Sequence, residues 1–283
     1  MALATDSGGV VINADSAQLY RDLPVLSAAP SPDDHRRADH RLYGVIDAAE
    51  SCSAADWARR AREEIARVHG EGRLPILVGG TGLYIRSLLD GIAPVPPIEQ
   101  AVRERVRARP VDANHAELER IDPVAAARFN PGDTTRIARA LEVMLSTGRP
   151  IHEWQLARSG GIAGDVALRP LILLPSRDWL YARCEARFAA MLDQGAIAET
   201  QALIARNLDP ALPAMRAIGV REIMAMLTGE LTRAQALAAG AQATRNYAKR
   251  QYTWFANQPP QDWPRFREAL EPETLASALS HLR

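Results

Sequence analysis

Two short apolar runs, each ending in a turn of small and polar residues, constrain the fold of this chain most strongly. The run Val10–Ile12 stops at Asn13, and the run Leu74–Val78 leads into a Gly-Gly-Thr-Gly turn at 79–82. An amphipathic helical pattern over 53–72 separates the two runs. Because a strand–helix–strand order usually produces parallel strands covered by helices, the sequence predicts a parallel α/β core.

Composition changes at Pro94–Pro97, which cannot lie inside a helix and predicts a domain boundary. The segment Glu99–Gly148 has helical patterns throughout. Further on, the sequence predicts a buried strand over Leu168–Leu174, a helix capped by Asp178, and a long final helix over Thr232–Asn257. The predicted organisation is an α/β core with C-terminal helices in 1–95 and 161–283, interrupted by a helical insertion at 96–160.

Overall composition excludes several classes of protein. Of the 283 residues, 47% are hydrophobic, which is enough for a packed core, and the longest apolar runs are too short to cross a bilayer. The two cysteines, Cys52 and Cys184, lie far apart and the six histidines show no metal-binding spacing, so neither a disulfide nor a metal site is predicted. These features indicate a cytoplasmic protein. The net charge of zero gives no support to RNA binding.

Chemically useful residues follow both predicted strands. Asp15-Ser16 comes after the first strand and the glycine turn at 79–82 after the second, and ligands of open parallel sheets sit at such strand ends. A carboxylate there can act as a general base, and a glycine turn lets backbone amides approach a phosphate. An ordinary turn aspartate and an ordinary tight turn explain the same residues equally simply.

Basic residues cluster in two predicted helical regions. Arg245 and Lys249 share one face of the C-terminal helix, with Arg250 and several aromatic residues beside them, a mixture suited to phosphate contacts and base stacking. The insertion carries arginines at alternate positions from Arg103 to Arg109. A solvated helix surface is the alternative explanation for both clusters.

The order of motifs along nearly the whole chain resembles the tRNA dimethylallyltransferase family. The motifs that carry this resemblance are Asp15-Ser16-Ala17-Gln18-Leu19-Tyr20, His40-Arg41-Leu42, Ser53–Asp56, Gly79–Tyr84, Asp122-Pro123, Arg136–Val143, Arg183–Phe188, Ala217-Ile218-Gly219 and Ala248–Trp254. The resemblance implies a P-loop-type parallel sheet flanked by helices, with a helical insertion that holds the anticodon stem-loop of tRNA.

The resemblance also implies a reaction and its participants. A dimethylallyl group would pass from dimethylallyl diphosphate to the exocyclic amine of the adenosine beside the anticodon, with release of pyrophosphate. Asp15 would be the general base, Thr81 would hydrogen-bond the bridging oxygen of the donor, and Arg187 would stabilise the leaving diphosphate with the help of Mg²⁺. The protein would act as a monomer and would not bind a membrane.

The residues expected to contact tRNA come from the resemblance and from the basic C-terminal helix. They are Asp15, Ser16, Ala17, Gln18, Thr81, Arg103, Thr135, Arg136, Ile137, Ala138, Arg139, Arg216, Ala217, Ile218, Gly219, Val220, Arg221, Arg245, Lys249 and Arg250.

The chain departs from the family pattern in two places. It contains no G-x-x-x-x-G-K-[ST] loop, so the first strand and P-loop of the family are absent. The expected explanation is a start codon assigned at an internal methionine, too far downstream. This absence predicts an unpaired edge beside Val10–Ile12. The segment Leu26–Pro30 lacks the lysine and glycine usual in the family, and Val220 replaces the usual aromatic residue.

Two other functions fit parts of the sequence. A truncated, non-catalytic tRNA-binding homologue would explain the basic C-terminal helix together with the missing loop. A nucleotide-dependent small-molecule kinase would share the α/β core, but the C-terminal Lys249-Arg250-Gln251 motif favours the transferase.

Overall fold

The computed structural model describes residues 1–282. In chain order its elements are α1 (Ala2–Ser7), β1 (Val10–Asn13), α2 (Pro32–Arg37), β2 (Asp39–Arg41), α3 (Ala54–Gly70), β3 (Pro75–Val78), α4 (Gly82–Leu89), α5 (Gln100–Ala108), α6 (Val111–Ile121), α7 (Pro123–Ala126), α8 (Thr134–Thr147), α9 (Ile151–Leu156), β4 (Ile172–Leu173), α10 (Arg177–Asp193), α11 (Ala196–Ala205), α12 (Val220–Leu227), α13 (Arg233–Asn257), β5 (Arg265–Phe266) and α14 (Pro272–Ser280).

The chain divides into two compact units. The first unit comprises Met1–Arg86 and the chain from Val166 onward, and the second comprises Ser87–Asp165. The predicted insertion at 96–160 lies within the range of the second unit, and its contact with tRNA stays a prediction. Among the described residues, no helix combines the length and apolar character needed to span a membrane.

A three-stranded parallel sheet forms the centre of the first unit. The strand order is β2-β1-β3, with Val10 opposite both Asp39 and Pro75 and Asn13 opposite Val78. All four residues of β1 are buried, as expected for a strand covered on both faces. The predicted parallel α/β class is confirmed. The expected unpaired edge beside β1 is wrong, because β2 and β3 flank this strand on both sides.

Helix α3 covers the sheet through the face that its sequence predicts. Ser53 caps the helix with a reciprocal capping box to Asp56, an arrangement worth about 1 kcal/mol. Trp57, Ala61 and Val68 are fully buried. The indole N–H of Trp57 donates a 2.9 Å hydrogen bond to the carbonyl of Asn13, which ties α3 to the end of β1.

The C-terminal part of the first unit is a layer of helices in which α10 packs along α13. A Cβ at Gly240 would lie 2.1 Å from the ring of Phe188, so glycine is required at this helix contact. Helix α13 begins after Thr232, which forms a capping box with Gln235, and it confirms the helix predicted over Thr232–Asn257. It is not the final helix, because α14 follows it.

Two local predictions in this region are wrong. Only Ile172–Leu173 of the predicted strand Leu168–Leu174 is extended, and it pairs with β5 in a separate two-stranded parallel sheet. Leu168 is 44% exposed, which is not the pattern of a buried strand. The helix that follows is capped by Ser176, whose side chain accepts from the Trp179 amide, and not by Asp178.

The second unit is entirely helical apart from an isolated bridge between Ile92 and Ser159. Asp122 caps α7 and Asp133 caps α8. Ile137 and Leu141 of α8 are fully buried, and they form one apolar cluster with residues of α5, α6 and α7.

Candidate active site

The carboxyl ends of β1 and β3 meet and place two segments in contact. The amide of Thr81 donates to the carbonyl of Ala14 at 3.1 Å. The Thr81 hydroxyl accepts from the Ser16 amide at 3.0 Å and donates to the Ser16 hydroxyl at 3.3 Å. The parallel register therefore brings together the two strand-end segments that the sequence singled out.

Asp15 is held by the residues around it. Its amide donates to Oδ1 of Asn13 at 2.7 Å, while Nδ2 of Asn13 donates to the carbonyls of Asp15 and Leu42. Carboxylate Oδ1 of Asp15 accepts from the Ala17 amide at 2.9 Å. Burial raises the pKa of Asp15, and this effect exceeds the lowering by the amides of Ala17 and Gln18 and by the positive charge of Arg187.

Two tyrosines that the sequence analysis did not select lie close enough to feel the charge of Asp15. Burial raises the pKa of Tyr43 to about 12, and the charge of Asp15 adds to this shift. Burial likewise raises the pKa of Tyr247, again with a contribution from Asp15. The hydroxyl of Tyr247 hydrogen-bonds with Thr81, Ser16 and Gln251, so α13 reaches directly into the site.

The glycine turn is shaped by close packing against protein atoms. A Cβ on Gly79 would lie 2.1 Å from the backbone carbon of Ala14, and one on Gly80 would lie 2.0 Å from the amide nitrogen of Gln251. A Cβ on Gly82 would lie 2.3 Å from the ring of Trp254. Approach to a phosphate is therefore not needed to explain these glycines, because Ala14 and α13 already occupy the space.

The positive charge of Arg187, in the first unit, lowers the pKa of Asp15. Arg187 lies on α10, is exposed, and also lowers the pKa of Cys184 against the larger effect of burial. On the neighbouring helix, Arg245 donates to Glu185 at 3.2 Å and Lys249 is exposed. The guanidinium of Arg250 stacks over the ring of Tyr247 at 5.5 Å.

The side chain of Gln18 is engaged by its own loop. Its amide nitrogen donates to the carbonyls of Ser27 and Ala28 at 3.1 and 2.8 Å. The same loop is fixed by Glu199, whose carboxylate accepts from the amides of Val25 and Leu26 at 2.7 and 3.0 Å. This loop therefore holds its shape through Gln18 and Glu199, although it lacks the lysine and glycine typical of the family.

The remaining predicted tRNA contacts fall into exposed and buried groups. Fully or almost fully buried are Ile137, Ala138, Gly219 and Val220. Because Gly219 has no side chain and the other three side chains are buried, a tRNA contact at these positions would use backbone atoms, and it stays a prediction. Partly or fully exposed are Ala17, Arg103, Thr135, Arg136, Arg139, Arg216, Ala217, Ile218 and Arg221, and their contact with tRNA stays a prediction.

The fold and the site define a parallel α/β protein with a partly buried carboxylate and a chain of hydroxyls at the carboxyl ends of its strands. A family model described as IPP transferase matches residues 18–258. The chain belongs to this family.

Curated relatives carry the name tRNA dimethylallyltransferase. One from Erythrobacter litoralis (strain HTCC2594) is 62% identical over 268 residues, covering 94% of this chain and 84% of the relative. Another, from Novosphingobium aromaticivorans, is 60% identical over 272 residues, covering 95% of this chain and 97% of the relative. The resemblance of the motifs is thereby confirmed, and the small-molecule kinase is excluded as the family of this chain.

Solved structures agree with this assignment. The full-length tRNA isopentenylpyrophosphate transferase from Bacillus halodurans matches with a TM-score of 0.69 and 31% identity, over 99% of this chain and 88% of that one. A eukaryotic dimethylallyltransferase, solved in the course of acting on tRNA, matches with a TM-score of 0.74 and 25% identity, over 89% of this chain and 64% of that one.

Proposed function

We infer that this chain transfers a dimethylallyl group from dimethylallyl diphosphate to the exocyclic amine of the adenosine beside the anticodon of tRNA, releasing pyrophosphate. The observation that carries this inference is the partly buried Asp15 carboxylate beside the hydroxyls of Ser16 and Thr81, in a chain 62% identical to a relative named for this reaction.

The proposed role of Asp15 is to accept a proton from the adenine amine. An aromatic amine is a weak nucleophile, so loss of its proton as the new nitrogen–carbon bond forms lowers the barrier. Burial raises the pKa of Asp15, which makes its carboxylate a stronger base than an exposed one. The adenine has to leave the base stack to reach this buried group.

The proposed roles of Thr81 and Arg187 concern the leaving group. As the carbon–oxygen bond breaks, its electron pair stays on the diphosphate oxygen. A hydrogen bond from the Thr81 hydroxyl to this bridging oxygen would stabilise the developing charge, and Arg187 would supply a positive charge near it. Reaching that oxygen requires the Thr81 hydroxyl to exchange its present acceptor, the hydroxyl of Ser16.

Magnesium is proposed as the companion of the diphosphate. The side chains at the strand ends, Asp15, Ser16, Thr81, Tyr247 and Gln251, all carry oxygen, the ligand type that Mg²⁺ prefers. In residues 1–282, no group of three or more His, Cys, Asp or Glu side chains could hold a metal ion. Its other ligands would therefore be diphosphate oxygens and water, and the bound ion would neutralise charge on pyrophosphate.

Binding of tRNA is proposed to use exposed cations of both units, chiefly Arg216 and Arg221 in the first and Arg136 and Arg139 in the second. Side chains of this kind fix the register of an RNA through its phosphates, while base edges supply sequence preference. The protein is proposed to work as a monomer in the cytoplasm, where its tRNA substrate is found.

A non-catalytic tRNA-binding homologue is the competing function, and the names of the curated relatives do not favour it. The two functions separate when Asp15→Ala is introduced into the chromosomal gene of the native host. Dimethylallyladenosine in the host tRNA, measured by mass spectrometry of its nucleosides, is expected to disappear while the protein level stays unchanged. Unchanged dimethylallyladenosine in this strain would rule out the role of Asp15 as the base.

A further inference from the structure

The second unit contains a buried carboxylate in an unusual setting. Glu142 lies on α8 between Leu141 and Val143 and is fully buried. Acidic residues are almost never buried in this way unless they are paired. Its partners are arginines, and their arrangement gives Glu142 a role beyond packing.

Two arginines interact with this one carboxylate, and the charge of a third, Arg103, acts on one of them, Arg139. Nε of Arg107, on α5, donates to Oε1 of Glu142 at 2.8 Å. Nη1 of Arg139, one turn earlier on α8, lies 3.8 Å from Oε2 of Glu142, within the range of a charge interaction but too long for a hydrogen bond. Arg103 lies four residues before Arg107 on α5, on the same helix face.

The cluster keeps hydrogen-bonding capacity that the protein does not use. Arg107 is 65% exposed and gives only its Nε to Glu142, so both terminal nitrogens have no partner among the described residues. Nε of Arg103 and Oε2 of Glu142 are buried without a hydrogen-bond partner. Three positive charges against one negative charge, with spare donors, suit an anion with several acceptor oxygens.

We propose that Glu142 is a positioning residue that holds Arg107 and Arg139 as one binding cluster for backbone phosphates of tRNA, with Arg107 as a direct contact. The proposal rests on the proposed function, because it concerns the tRNA substrate. Burial lowers the pKa of Arg139, the charge of Glu142 opposes this, and the charges of Arg103 and Arg107 add smaller lowering effects. A phosphate on the cluster would relieve the repulsion among these arginines.

The competing explanation is that Glu142 only neutralises charge in the second unit. The two explanations predict opposite results for Glu142→Gln, which keeps the shape of the side chain. If Glu142 only neutralises charge, removing its negative charge strengthens the attraction for RNA. If Glu142 positions the arginines, the same substitution frees their side chains and weakens RNA binding.

The test measures binding of a synthetic anticodon stem-loop RNA to the full chain by fluorescence anisotropy over a range of salt concentrations. For Glu142→Gln we expect affinity to fall on the order of tenfold. The slope of log affinity against log salt should shrink by about one to two, because each phosphate that the arginines no longer neutralise removes about one from the slope. Unchanged or tighter binding overturns the proposal.

Two further variants keep the test decisive if Glu142→Gln unfolds, which melting by circular dichroism would reveal. Arg107→Lys keeps the charge but loses the guanidinium fork, so weaker binding is expected and unchanged binding contradicts the proposal. Glu153→Gln, which breaks the exposed pair with Arg149 in the same unit, is the matched control and should bind like the wild type.

A double-mutant cycle and transfer kinetics separate positioning from general destabilisation. Because Glu142 acts through Arg107, the double variant Glu142→Gln/Arg107→Lys should bind no more weakly than the worse single variant. In transfer assays Glu142→Gln should raise KM for tRNA and leave kcat and KM for dimethylallyl diphosphate unchanged. An absence of transfer by the wild type would count against the proposed function, whereas the binding results decide the role of Glu142.

Discussion

Burial and hydrogen bonding act in opposite directions on Asp15, and their balance determines how well it can serve as a base. The amides of Ala17 and Gln18 and the charge of Arg187 stabilise the carboxylate, but desolvation has the larger effect and raises its pKa. The short turn after the buried strand β1 therefore fixes the position of the Asp15 carboxylate and increases its basicity.

The raised pKa of Asp15 predicts a pH dependence of transfer. Only the deprotonated carboxylate accepts a proton, so kcat/KM should be constant at neutral pH and fall as pH drops through a pKa above the ordinary value of 3.8. Asp15→Asn should lower kcat by about a hundredfold or more and remove this acid limb. The measurement is label transfer from dimethylallyl diphosphate between acid and neutral pH. If kcat/KM of Asp15→Asn still falls at low pH, the fall belongs to the titration of another group.

Tyr247 should orient the Thr81 hydroxyl. Tyr247→Phe removes a hydroxyl that hydrogen-bonds with Thr81, Ser16 and Gln251, so kcat should fall about five- to tenfold, as expected for a hydrogen bond worth about 1 kcal/mol. Tyr252→Phe, on the same helix with its ring under Arg177, is the matched control and should keep full activity. Equal activities of the two variants would show that the Tyr247 hydroxyl does not contribute to the orientation of Thr81.

Asp15 and Thr81 were predictable as site residues, whereas Tyr43, Tyr247 and Gln251 were not selected. The first two follow predicted strands, and strand ends of a parallel sheet are adjacent whatever the details of the fold. The tyrosines and Gln251 reach the site only through packing of distant segments, which no local pattern specifies. Tyr247 stands directly before the Ala248–Trp254 motif, in which the basic residues carry the local signal for RNA binding.

At the scale of elements, the contact between the glycine turn and α13 fixes the site. Gly80 faces the side chain of Gln251 and Gly82 faces the ring of Trp254, at distances that leave no room for a Cβ. The turn and the last turns of α13 are therefore one packed assembly, and Thr81 lies in its middle.

Gly79→Ala should destabilise the protein strongly. Its new Cβ would lie 2.1 Å from a backbone carbon of Ala14, which cannot move without disturbing β1, and a cost of about 2 kcal/mol or more is expected. Gly70→Ala in α3 is the control, because no atom lies within 4 Å of its Cβ and alanine favours the helix. Denaturant unfolding of both variants measures the difference, and equal stabilities would contradict the close packing of the turn.

Elements with strong local signals were predicted correctly, and those that depend on distant pairing were not. The capping boxes at Ser53 and Thr232 and the buried faces of α3 and α8 follow from residue spacing alone. The apolar segment Leu168–Leu174 resembles a buried strand, but its length and burial depend on a partner, β5, nearly a hundred residues later. Local sequence contains no information about such a partner.

At the scale of the whole molecule, a net charge of zero conceals local concentrations of charge. The 34 basic and 34 acidic residues balance, yet Arg216, Arg221 and Arg136 are exposed cations, and Arg107 and Arg139 both interact with a single acidic side chain, Glu142. A sum over the sequence cannot locate these clusters, because their positions depend on how the helices pack. The same limit applies to the division into two units, whose bounds lie at 86–87 and 165–166.

The most direct test of the proposed function is transfer of label from dimethylallyl diphosphate to tRNA by the protein purified from its own host. We expect label on the adenosine beside the anticodon. This label should be lost in Asp15→Asn, while the variant binds the anticodon stem-loop within about twofold of the wild type, since only the proton acceptor changes. Binding of tRNA by the wild type without any label transfer, or transfer at the full rate by Asp15→Asn, would contradict the proposed function.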